Sequence, residues 1–88
     1  MVSSESSDIE NRIRSETLKW LDKIKNTKIE EIEENRIAKE IKENIKAYIK
    51  DTEYFLGRNM LIEAFESIVW AWAWLEIGAR LNILKMVK

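Results

Sequence analysis

Carboxylates and amines are the side chains from which this chain would have to build any chemistry. It carries 16 Asp and Glu, 15 Lys and Arg, and neither His nor Cys among 88 residues. Thiol nucleophiles, histidine relays, disulfides and Cys/His zinc sites are therefore excluded, as is the Glu-x-x-His pattern of di-iron bundles. Asp51, Glu63 and Glu66 would reach similar heights if the chain folds back near Gly57. Oxygen ligands alone suit only a hard cation. Each of the three projects away from its segment's apolar stripe, so we read them as solvated. Glu76 and Arg80 stand four apart, the spacing of a helical ion pair that contributes about 0.2–0.5 kcal/mol, and we read that pair as structural. Lys39, Lys42, Lys46 and Lys50 fall on one side of a helix and are the candidate phosphate contacts. Glu43 and Glu53 border them and no aromatic stands beside them, the pattern of a solvated helix face. Glu30, Glu31, Glu33 and Glu34 form an acidic knot suited to a helix start. No enzyme, metal or cofactor is expected from this inventory.

The elements that would position these groups are helical. Pro is absent, Gly occurs twice, and the formal net charge is −1. Such a balance draws the protein towards neither nucleic acid nor membrane. One domain is expected at this length. Residues 1–7 read as a polar tail without an apolar leader core, which implies a cytoplasmic protein. Ser7 and Glu10 fit a capping box. Ile9, Ile13, Thr17, Trp20, Leu21 and Ile24 then recur at about 100° per residue, predicting a first helix over 8–25. Ile37, Ile41, Ile45, Tyr48, Thr52 and Phe55 predict a second over 36–56. Ile29 and Ile32 are out of phase with that stripe, so a slip is expected near Asn35: either a short helical lead-in at 28–34, which Thr27 could cap, or a kink in the second helix. Gly57 should end the second helix in the left-handed conformation, and Asn59 should cap a third over 60–84. Short links make neighbours antiparallel. The predicted fold is an all-α, up-down-up three-helix bundle forming one domain over 8–88, with Arg80 stacking on Trp20.

Two stretches carry a family likeness. Tyr48-Ile49-Lys50-Asp51-Thr52-Glu53-Tyr54-Phe55 resembles a Y-x-x-D-A-x-Y-F pattern, and Ala73 to Asn82, AWLEIGARLN, resembles G-W-L-D-A-G-x-R-L-G. Over residues 36 to 85 the chain resembles the small, mostly archaeal proteins known as domain of unknown function 357. The resemblance implies a three-helix bundle and an archaeal, cytoplasmic origin, and it implies no activity. Ala73 and Asn82 stand where the pattern has Gly, and Asn59-Met60 where it has Gly-Asp.

The third helix is apolar all round. Leu61, Phe65, Ile68, Trp72, Leu75, Ala79 and Ile83 form its natural core side. Trp70, Trp74, Ile77, Leu81 and Leu84 lie nearly opposite. Two neighbouring helices do not easily cover a whole circumference. With a Trp hiding on the order of 150–250 Å² when buried, the uncovered side would exceed about 500 Å², as large as the largest patch on a typical monomer. Those five residues are therefore the expected interface, either of a homodimer or with a protein partner. A groove for a small apolar ligand beside Ala71, Ala73 and Gly78 is a further reading. The alternative function is a nucleic-acid-associated accessory protein using the four lysines. The longest apolar run is interrupted by Glu76 and Arg80, too soon for a membrane span of roughly 20 residues.

Overall fold

The computed structural model describes residues 2–87, with side chains from residue 8 onward. It is mostly helical, with helices α1 (Val2–Lys25), α2 (Arg36–Gly57) and α3 (Leu61–Arg80). Between and after them lie two short strands, β1 (Lys28–Glu31) and β2 (Leu84–Val87). The strands form an antiparallel pair that runs from Lys28 opposite Val87 to Glu31 opposite Leu84. The all-α expectation is corrected by this two-stranded sheet. Among the described residues, no helix is long and apolar enough to cross a membrane.

Helix α1 begins at Val2 rather than near residue 8. Residues 2–7 therefore continue the helix rather than form a tail, and Ser7 lies inside it. No Gly or Pro interrupts Val2–Lys25, so nothing local stops propagation. Met1, Lys88 and the side chains of residues 2–7 lie outside the described residues. At the other end the side chains terminate the helix as their chemistry suggests. Asn26 Nδ2 donates to the Asp22 carbonyl at 2.9 Å and Thr27 Oγ1 to that of Lys23 at 2.7 Å, satisfying carbonyls left free by the last turn.

The lead-in over 28–34 is a strand followed by a turn, not a helix. As a helix it would stack glutamates three and four apart, which repel. As a strand it sets Glu30 opposite Lys85, a favourable cross-strand pair, and turns Ile29 onto the core. The slip in phase falls at Asn35. Its side chain caps α2, accepting from Ile37 N and Ala38 N. Ile37, assigned to the buried stripe, is 58% exposed, and Ala38 takes its place.

The two remaining helix ends correct the turn chemistry. Gly57 stays helical, and the left-handed residues are Asn59 and Asn82, both at φ 59°. After α2, Asn59 N–H donates to the Leu56 carbonyl and Met60 N–H to that of Phe55. After α3, Asn82 N–H donates to Ala79 and Ile83 N–H to Gly78. The same closure is thus used twice, each time with Asn at the position that Gly usually takes. Asn tolerates that conformation better than other residues with a Cβ. Met60, not Asn59, stands before α3 and makes no side-chain cap. The second closure stops α3 at Arg80, short of the expected residue 84, and sends the chain back as β2.

Helix α2 packs chiefly on α3, and α1 also lies mainly on α3 rather than on α2. The buried positions of α2 and α3 are Ala38, Ile41, Ile45 and Thr52 against Leu61, Ala64, Ile68, Ala71, Leu75 and Gly78. Their alternating spacing of three and four is that of a two-helix seam. Leu21 and Ile24 complete the core from α1, and Leu84 from β2. Buried hydroxyls are satisfied locally, with Thr17, Thr52 and Ser67 each donating to the carbonyl four residues earlier. Lys25 and Glu53 tie α1 to α2 at 2.6 Å.

Candidate functional site

Helix α3 is too apolar for its neighbours to cover, and its buried side keeps Leu61, Ile68 and Leu75 of the expected one but is rotated from it. Small residues turn inward: Ala64 and Ala71 are fully buried and Gly78 is buried too. Phe65, assigned to the core, is exposed, and Trp72 is only half-buried. The remaining apolar surface falls into two strips on either side of α3.

The outer strip is formed by Trp70, Ile77 and Leu81, at 52%, 39% and 61% exposure. Trp70 stacks on Tyr48 of α2, with centroids 6.4 Å apart and planes 19° from parallel, which holds the indole flat on the surface. Trp74 is half-buried and packs against the core. Leu84 does not belong to this surface. It sits in β2 at 1% exposure. A Cβ on Gly78 would meet Leu84 Cδ1 at 2.5 Å, so the absent side chain of Gly78 is the space that Leu84 fills. Strand β2 thus covers from within the chain part of the circumference that was expected to be bare. Ala71 and Gly78 accordingly leave no room for a small ligand, because both are in the core.

The second strip follows the seam between α1 and α3. A pocket of about 350 Å³ is lined by Trp20, Phe65, Ile68, Val69, Trp72, Ala73 and Glu76. It adjoins one of about 410 Å³ lined by Ile9, Arg12, Ile13, Glu16, Ile62, Phe65 and Glu66. Trp20 meets Trp72 edge to face at 5.6 Å, and Trp72 Nε1 donates to the Trp20 carbonyl at 3.1 Å. Lys23 and Lys19, rather than Arg80, lie over the Trp20 ring, at 4.8 and 5.3 Å. A hydrogen bond from Lys19, and its charge, hold the Glu16 carboxyl below its ordinary range. Sequence reasoning placed Phe65 inside and so missed most of this strip, although Ala73, named there beside a possible ligand groove, lines the first pocket. The excess of apolar residues on α3 was the available signal.

The charged candidates resolve into surface pairs. Glu76 and Arg80 are both exposed, and no ion pair within 4 Å joins them. Lys39 pairs with Glu34 at 3.6 Å, Lys42 with Glu31 at 3.8 Å and Lys46 with Glu43 at 3.6 Å. Glu31 and Glu34 of the acidic knot therefore pair with two lysines of the stripe, Glu43 pairs with a third, and Lys50 stands exposed beyond them. Asp51, Glu63 and Glu66 are exposed, and among the described residues no group of three or more acidic side chains is placed to hold a metal ion.

A family model described as a protein of unknown function, domain of unknown function 357, matches residues 16–84. The chain belongs to that family. It is similar to protein AF1782 of the same family from Archaeoglobus fulgidus. The crystal structure of AF1782 superposes with a TM-score of 0.76 at 43% identity, over 90% of this chain and 99% of that one. No curated protein matches the chain. In this member of domain of unknown function 357, the two places where Asn replaces a pattern Gly are the two left-handed residues, Asn59 and Asn82. Asn accepts that conformation at both turns, and the turn after Asn82 carries β2 back over α3.

Proposed function

We propose that this chain is a helical interaction module, its three helices packed up-down-up, that associates with a second copy through Trp70, Ile77 and Leu81. The observation that carries the reading is the exposure of those three residues on the side of α3 apart from its seam with α1. On a helical projection Glu66, one turn before Trp70, flanks the strip at one end, while Glu76 points elsewhere. The strip itself is apolar, and a symmetric pairing that leaves Glu66 at its rim avoids like-charge contact. Its size sets the strength. About 300 Å² per copy, or about 600 Å² for a symmetric pair, is below the range of stable interfaces, so the dimer is weak and reversible. The module works by binding rather than by bond chemistry, a reading supported by the lack of His and Cys. Pairing of Lys39, Lys42 and Lys46 with glutamates favours it over a nucleic-acid role. The Archaeoglobus relative supports an archaeal origin.

Sedimentation equilibrium from micromolar to millimolar concentration tests the proposal. The wild type is expected to gain mass with concentration, and a Trp70→Glu/Leu81→Lys variant to remain a folded monomer. Equal association by both would remove the outer strip from the account.

A further inference from the structure

The seam between α1 and α3 differs from the outer strip in its charge. From Ile62 to Glu76 it runs about 21 Å along α3 at 1.5 Å per residue. Its floor is apolar, with Ile62, Phe65, Val69 and Trp20 all exposed. The charged residues along it are mostly carboxylates: Glu66 and Glu76 on α3, with Glu10 and Glu63 at the end nearest Asn59. Those four make no ion pair within 4 Å among the described residues. Glu16 is held by Lys19 at 3.0 Å, Arg12 lines the groove, and Lys19 and Lys23 lie over the Trp20 ring, so the carboxylates outnumber the cations.

We propose that this groove is a docking site for a basic amphipathic helix of about four turns from a partner protein. Groove length sets the four turns. The apolar floor takes one face of such a helix as anchors at i, i+3, i+4 and i+7. Unpaired carboxylates on the rim then meet lysines or arginines flanking that face. A second copy is the poorer occupant, since it would add its own carboxylates to the same interface. A small apolar molecule is also poorer. The trough is open along one side, whereas small-molecule sites enclose most of their ligand. The inference uses residues apart from Trp70, Ile77 and Leu81 and does not depend on self-association there.

The test is fluorescence anisotropy with three labelled synthetic peptides of 16 residues: a Leu/Lys amphipathic helix, its Leu/Glu counterpart, and a scrambled Leu/Lys sequence without an apolar face. The full chain is expected to bind the first at least tenfold more tightly than the other two, with affinity falling as salt rises. Ile62→Lys/Val69→Lys should lose at least tenfold. Glu66→Lys/Glu76→Lys should weaken the Leu/Lys peptide and strengthen the Leu/Glu one. Asp51→Lys/Glu33→Lys, which makes the same change of charge away from the groove, should alter neither. All substituted positions are exposed, and circular dichroism melts confirm that each variant is folded. Equal binding of the three peptides, no binding, or indifference to the groove variants would overturn the proposal. So would dissociation of a wild-type dimer by Ile62→Lys/Val69→Lys, which would make a second copy the occupant.

Discussion

The two apolar strips of α3 share one helix and differ in what surrounds them. The outer strip is short, has Glu66 at one edge, and is stiffened by Trp70 lying on Tyr48. The groove along α1 is longer, more recessed, and edged by carboxylates without partners. Apolar area alone does not tell such surfaces apart. The charge at the edge decides what each can accept, because like-charge contact is penalised and opposite charge is favoured. The first strip suits a copy of itself and the second a basic helix. One small module would thereby hold two different contacts.

The largest effect should come from the residue that bounds what is exposed. Leu84→Ala would empty the space over Gly78 and lower stability by about 2–5 kcal/mol, measured by urea unfolding. The folded fraction should still self-associate, since Leu84 faces inward. A loss of association without a loss of stability would return Leu84 to the interface. Trp20→Leu should cost about 1 kcal/mol through the lost edge-to-face contact with Trp72, while leaving self-association intact. If it dissociates the dimer instead, the two strips are not separate.

Smaller effects sharpen where the outer strip stops. Asn82→Ala should destabilise by about 1 kcal/mol, because alanine lacks the polar side chain that makes the left-handed region tolerable. Asn82→Gly should be neutral or slightly stabilising, and thermal melts of the pair check the sign. Trp70→Glu/Leu81→Lys should change unfolding free energy by no more than about 0.5 kcal/mol, the scale of surface substitutions. A larger loss would mean that the strip serves folding rather than association.

Much of the helical frame was legible in the amino-acid pattern. Thr17, Leu21, Ile24, Ile41, Ile45 and Thr52 are buried as their spacing implied, because an amphipathic stripe fixes which side turns inward. Asn35 was legible as the break in phase. The two-stranded sheet was not, since Lys28–Glu31 has good local helix formers, and only pairing with Leu84–Val87, more than fifty residues away, makes it a strand. The buried side of α3 was hidden for a related reason. Where almost every position is apolar, periodicity cannot choose a face, and the choice fell to Ala64, Ala71 and Gly78. The same ambiguity placed Phe65 inside and concealed the groove. Glu76 and Arg80 had the spacing of a pair, but both are exposed, where such pairs have little to hold them together.

The most direct measurement of the central claim is the solution mass of the wild type beside that of Trp70→Glu/Leu81→Lys, by sedimentation equilibrium up to millimolar concentration. The account predicts a weak monomer–dimer equilibrium for the wild type and a folded monomer throughout for the variant. A wild type that remains monomeric at every concentration would contradict it.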